Sequence, residues 1–303
     1  MDIQILLVCS GFGLLMLSGA KGHADHPLLL LISFDGFRWD YLHKVKCEGK
    51  NTPNFDYLTE NGVFVDDGVK NAYITKTFPN HYTIVTGLYE ESHGVIDNKM
   101  YDPIAKRYFS IDNKNDTEDV FWFDNGADNY AGYPEPIWLT NQKPQGKFPR
   151  RTGVMFWPGS EAKGMTPDIF RRYNSSVPNK KRIDNVVNWF SAEDIPINLG
   201  LLYFSEPDHS GHKFGPDSEV MIDLIVELDK LVGYLIQRLK DVKLWHKMNI
   251  ILTSDHGMAE VDDGIYLDDH VDEALYTEIS CGPVCSILPA EGSVVQLHVR
   301  IAK

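Results

Sequence analysis

Three continuous apolar runs organise the chain: Leu28 to Phe34, Asn198 to Phe204 and Asn249 to Thr253. Runs of this length without alternation fit strands buried on both faces, as in a parallel sheet covered by helices. Between them lie stretches with helical spacing. Met221, Leu224, Ile225, Leu228, Leu231, Val232, Leu235, Ile236 and Leu239 form one stripe and predict a helix over Ser218 to Lys240, with Pro216-Asp217-Ser218 as its N-terminal cap. Ile183 to Phe190 predicts a shorter helix. Asn80 to Thr86 predicts a third, with Pro79 in its first turn and Gly87 closing it. Strands alternating with helices imply an α/β domain with a largely parallel sheet flanked by helices. Tyr101 to Arg182 differs: it is rich in Asn, Gly, Pro and aromatics, has little periodicity, and reads as a loop-rich insertion over the site.

Composition adds a compartment. The 303 residues are 43% apolar and carry a net charge of -14. An acidic chain of this kind does not suit nucleic-acid duplexes, which call for a basic face. Ile3 to Leu17 is apolar but short for a membrane span, and Ser18-Gly19-Ala20 is a small-x-small cleavage site. Residues 1–20 therefore read as a signal peptide, with an N-terminal anchor helix as the alternative because Asp2 stands where a basic residue is usual. Asn115-Asp116-Thr117 and Asn174-Ser175-Ser176 are glycosylation sequons that suit export. Beyond Cys9 in the leader, Cys47, Cys281 and Cys285 are an odd number, so at least one thiol lacks a partner within the chain.

Candidate chemistry collects at the strand ends. Each apolar run leads into a carboxylate: Asp35, Asp208 after Ser205-Glu206-Pro207, and Asp255 followed by His256. Ligands of open α/β sheets bind beyond the carboxyl ends of the strands, so these groups are expected to converge. Any one of them alone would more often be a helix cap or a turn residue. His212 lies four residues after Asp208, a spacing that lets carboxylate and imidazole share a cation. Such a mixed set favours zinc over manganese or magnesium. Its size suggests two ions roughly 4 Å apart, the arrangement of phosphoryl-transfer sites. Thr77, in Thr75-Lys76-Thr77-Phe78-Pro79-Asn80-His81, precedes a predicted helix, where a hydroxyl meets the positive end of the dipole. It reads either as a nucleophile or as an ordinary cap. His209, His270 and His298 read as solvated loop residues.

These residues together resemble the ectonucleotide pyrophosphatase/phosphodiesterase family of the alkaline-phosphatase superfamily, from about Leu28 to about Pro289. The resemblance is carried by Ser33-Phe34-Asp35-Gly36-Phe37-Arg38, Thr75 to Tyr82, Thr86-Gly87-Leu88-Tyr89 with Ser92-His93-Gly94 and Asp97-Asn98, Phe156-Trp157-Pro158-Gly159-Ser160, Pro207-Asp208 with Gly211-His212, and Ser254-Asp255-His256-Gly257-Met258. It implies an alkaline-phosphatase-like fold in which residues 21–289 form the catalytic domain and 290–303 a divergent tail. It implies Thr77 as nucleophile, one zinc on Asp35, Thr77, Asp255 and His256, and another on Asp208 and His212. Asn98 would donate to a phosphate oxygen. Phe78 and Tyr173 would stack a nucleobase, with Trp157 shaping the pocket.

The family's second zinc takes a further histidine from a His-Gly-Tyr-Asp-Asn-type segment downstream, and no such segment follows Asp255-His256 here. The chain reads either as part of a longer enzyme or as a short form without a membrane anchor. The function implied is a secreted zinc hydrolase that acts on nucleotides or dinucleoside polyphosphates and releases a nucleoside 5′-monophosphate through a phospho-threonine intermediate. A nucleotide-binding protein of impaired activity and a lysophospholipid phosphodiesterase are the alternatives.

Overall fold

The computed structural model describes residues 2–3, 6–8, 26–123, 134–143 and 149–301. Its centre is a five-stranded parallel sheet: β1 (Leu28–Phe34), β2 (Thr152–Met155), β3 (Ile169–Arg171), β4 (Leu199–Phe204) and β5 (Met248–Thr253), in the order β5-β1-β4-β2-β3. The three apolar runs are β1, β4 and β5, side by side. Leu6–Val8 and Val63–Phe64 extend the β5 edge antiparallel. The rest of the expected leader lies outside the described residues.

β2 and β3 correct the reading of Tyr101 to Arg182, which contributes two strands to the central sheet. β2 has only four residues, Thr-Gly-Val-Met, all buried, and β3 has three. Segments this short complete no recognisable period, and a glycine and a threonine hide the apolar run. Among the described residues of the region, Ile111, Lys114, Thr117, Phe156, Glu161 and Arg172 line the cleft described below.

Pleating divides β1 between two layers. Leu28, Leu30, Ile32 and Phe34 pack into one cluster, while Leu29 and Leu31 face the other. The first layer holds helices α1 (Tyr41–Cys47), α2 (Pro53–Glu60), α4 (Asn179–Phe190) and α6 (Glu219–Asp241). The second holds α3 (Thr77–Thr86) with Trp138 and Trp157. α6 is the predicted long helix: Met221, Ile225, Leu228, Leu231, Val232, Leu235, Ile236 and Leu239 are all buried. Each such side chain stabilises the fold by roughly 1.5–3 kcal/mol. Ser218 stands at its N-cap but makes no capping bond there, and its hydroxyl donates to the Gly215 carbonyl instead. α3 begins at Thr77, three residues before its predicted start, and ends at Gly87 in the left-handed conformation with φ 70°. The Cys281–Cys285 pair is disulfide-bonded and Cys47 is a free, exposed thiol. Among the described residues, no helix is long and apolar enough to cross a membrane.

Candidate metal centre and its cleft

Strand register sets the site. Phe204 pairs with Phe34 and Thr253 with Ser33, so three chains leave the sheet at one edge. The ladder continues briefly past the strands: Asp35 N–H donates to the Phe204 carbonyl and Asp208 N–H to the Asp35 carbonyl, both at 2.9 Å. Asp208 opens the short helix α5 (Asp208–Phe214). Gly36 turns the chain away with φ +68°, and its N–H donates to Asp255 Oδ1 at 3.1 Å. Asp255 Oδ1 also accepts from the His256 N–H at 2.9 Å. Asp35, Asp255 and His256 are 2%, 0% and 5% exposed.

The atoms that converge here are acceptors. His256 Nδ1 lies 2.9 Å from the Gly257 carbonyl and must carry the proton, leaving the lone pair on Nε2. That Nε2 sits 3.4 Å from Asp35 Oδ1 and 3.2 Å from Asp255 Oδ2. Asp35 Oδ1, Asp208 Oδ1 and Asp255 Oδ2 are buried without a hydrogen-bond donor. Ligand atoms of Asp35, Asp208 and His256 lie within 4.8 Å of one another. Buried acceptors facing one another without protons are costly unless a cation lies between them. A metal ion fits this donor set, and the Nδ1–H to carbonyl bond is the usual orientation of a ligating histidine. His212 is one turn along α5, with Nε2 3.4 Å from Asp208 Oδ1, on the solvent side.

The electrostatics bear the strain of this crowding. Burial, then the charges of Asp255 and Asp208, push the Asp35 carboxyl well above the usual range. Burial raises Asp208 too, against the pull of His256 and His212. Burial also acts to raise Asp255, but His256, His81 and the Gly36 N–H outweigh it and hold Asp255 well below its ordinary value.

Thr77 is the first residue of α3 and lines the cleft beside Asp35 and Asp208. His81, one turn on, is fully buried. Its Nδ1 is 2.8 Å from the Thr77 carbonyl and 3.3 Å from Asp255 Oδ2, and its Nε2 is 2.9 Å from Ser33 Oγ. One imidazole thereby ties the start of α3 to the β5 carboxylate. Asn98 Oδ1 accepts from the Phe78 N–H at 2.9 Å, which leaves the amide Nδ2 as the group able to donate elsewhere.

From this corner opens a cleft of about 480 Å³, lined by Phe78, Phe156, Tyr173 and Tyr203 and then by Lys114, Thr117, Glu161 and Arg172. Phe78 and Tyr173 thus both line the cleft. Trp157 does not: it is fully buried, and its Nε1 donates to the His81 carbonyl at 3.2 Å, so it supports His81 from behind instead of lining the pocket. Glu161 was not anticipated, and burial pushes its carboxyl up to about 7. His81 and Tyr203 were also missed as site residues. For His81 a signal existed, since it stands four residues after Thr77 and so on the same helical face. The spare His209, His270 and His298 are exposed, His209 and His298 on helices and not in loops.

Comparison with known proteins points to one family. A profile of the family described as type I phosphodiesterase / nucleotide pyrophosphatase matches residues 29–300. Human ectonucleotide pyrophosphatase/phosphodiesterase family member 5 is 44% identical over 278 residues, which are 90% of this chain and 54% of the relative. Mouse bis(5'-adenosyl)-triphosphatase enpp4 is 43% identical over 296 residues, 95% of this chain and 60% of the relative. The chain therefore spans between half and two thirds of these relatives. Murine ectonucleotide pyrophosphatase/phosphodiesterase 5, solved as an inactive threonine-to-alanine variant in complex with AMP, superposes with a TM-score of 0.81 at 42% identity, covering 91% of this chain and 69% of the other. The human counterpart gives 0.81 at 43% identity, with the same coverage.

Proposed function

Because the chain belongs to the type I phosphodiesterase / nucleotide pyrophosphatase family, we propose that it hydrolyses a nucleotide phosphodiester or pyrophosphate bond and releases a nucleoside 5′-monophosphate. The observation that carries this reading is the acceptor-only cluster of Asp35, Asp255 and His256, all buried, with the half-buried Asp208, at the base of a cleft that Thr77, Phe78 and Tyr173 also line. Asp35, Thr77, Asp255 and His256 would hold one zinc, and Asp208 with His212 would take part in holding a second. Zinc bound there supplies Lewis acidity, lowering the pKa of a bound hydroxyl and offsetting charge on phosphate oxygens.

The chain's own residues do the rest. Phe78 and Tyr173 receive the base between them. The Thr77 Oγ, at the positive end of α3, attacks phosphorus. The bond to the leaving oxygen breaks, the proton given up by the Thr77 hydroxyl passes to solvent or to that oxygen, and the monophosphate is left esterified to Thr77. Asn98 Nδ2 donates to a non-bridging oxygen as its charge grows. Water then cleaves the threonine ester, returning the hydroxyl and releasing the monophosphate. The relatives' names support nucleotide substrates, dinucleoside polyphosphates included. The polar far end of the cleft, with Lys114, Glu161 and Arg172, favours a nucleotide over a lysophospholipid tail. The leader-like first twenty residues and the sequons at Asn115 and Asn174 support a secreted glycoprotein.

The test is Thr77→Ala. Turnover of a p-nitrophenyl nucleotide ester should fall by more than about 10³-fold, while calorimetry still detects AMP binding. Chelation of the wild-type protein should abolish turnover and added zinc restore it. Undiminished turnover by Thr77→Ala would refute the nucleophile.

A further inference from the structure

We propose that Tyr203 is a positioning residue that selects which oxygen of Asp35 faces a metal ion and couples that carboxylate to the aromatic wall of the cleft. This rests on the metal reading above.

Tyr203 is 7% exposed, and its hydroxyl donates to Asp35 Oδ2 at 2.5 Å. With Oδ2 engaged, rotation of the carboxylate is blocked and Oδ1 alone is left to face His256 Nε2 and the Asp208 carboxylate. Strand register explains the reach. Tyr203 on β4 pairs with Ser33 on β1, so its phenol extends just past the neighbouring strand end to Asp35.

The ring also touches both other parts of the site. It meets His81 edge-on, with centroids 5.2 Å apart, and Tyr173 edge-on at 5.9 Å. His81 in turn contacts Asp255, and Tyr173 lines the cleft. Below this wall lies Arg182, 3% exposed, its guanidinium 4.9 Å from the Phe156 ring centre and 5.9 Å from that of Tyr173. Arg182 Nη1 donates to the Tyr203 carbonyl at 3.4 Å, which anchors the backbone of the residue that holds Asp35.

Tyr203→Phe keeps the ring and removes the hydroxyl. Zinc content after equilibration in graded chelator buffers should show affinity weakened about 10–100-fold against wild type, the usual effect of losing a partner of a metal ligand. A role in packing alone predicts unchanged zinc affinity, because the ring remains, and that result would overturn the inference. Wild-type protein that takes up no zinc overturns the metal reading itself, and this inference with it. If Tyr203→Phe does not fold, 3-fluorotyrosine at position 203 preserves shape and strengthens the donor. Its zinc affinity should then change by at least about threefold, and an affinity equal to wild type overturns the proposal.

Discussion

A carboxylate buried beside other carboxylates persists only where something offsets the repulsion, and each acid of this site has a different offset. Asp255 has the His81 imidazole at 3.3 Å and two backbone N–H groups on its Oδ1. Asp35 has a single phenol and is left with an orphaned oxygen. Asp255 Oδ2 and Asp208 Oδ1 are orphaned as well, but Asp35, with one donor on its other oxygen against two backbone donors on Asp255 Oδ1, depends more on a cation than Asp255 does. The neutral members are as specific. Asn98 has its Oδ1 committed to the Phe78 backbone, so its amide can turn only Nδ2 toward a phosphate. Asn98→Ala should lower kcat by about 10²–10³-fold, the cost of losing one donor to a developing oxyanion, with KM changed only severalfold. Steady-state kinetics on a p-nitrophenyl nucleotide ester measures this, and an unchanged kcat would remove Asn98 from the chemistry. The three aspartates were readable in the sequence because each terminates an apolar run. Tyr203 was not, since it sits inside such a run, where an aromatic ring reads as packing; His81 was readable only through its place one turn after Thr77.

Among the elements, the turn after β1 governs how closely the carboxylates approach. Gly36 adopts φ +68°, and a Cβ there would stand 2.8 Å from Asp208 Cβ and 2.9 Å from Asp208 Cα. Both the conformation and the space require glycine. Gly36→Ala should cost about 2–3 kcal/mol and move α5, and with it Asp208, away from Asp35. Thermal denaturation should show a Tm lowered by several degrees, with zinc held more weakly. A variant that melts with the wild type would mean that this close approach does not hold the site together. The long helix α6 was legible because its stripe runs from Met221 to Leu239, about five turns. β2 and β3 were not legible, being too short to show a period and set among turn-forming residues.

Across the whole molecule, the sheet's carboxyl edge gathers groups separated by up to 221 positions in the chain, from Asp35 to His256. Nothing local in the sequence encodes that meeting. It follows from parallel β5, β1 and β4 lying adjacent in matched register. A net charge of -14 also means that an anionic substrate is attracted by the site and not by the surface at large. The central claim is that these strand ends gather beside Thr77 to hold metal. Diffraction from zinc-loaded protein, with the anomalous signal measured at the zinc edge, tests it most directly. An anomalous peak is expected within about 2.0–2.2 Å of ligand atoms of Asp35, Asp255 and His256, with a second, weaker peak at Asp208 and His212. Full zinc loading with no peak at any of these residues would contradict it.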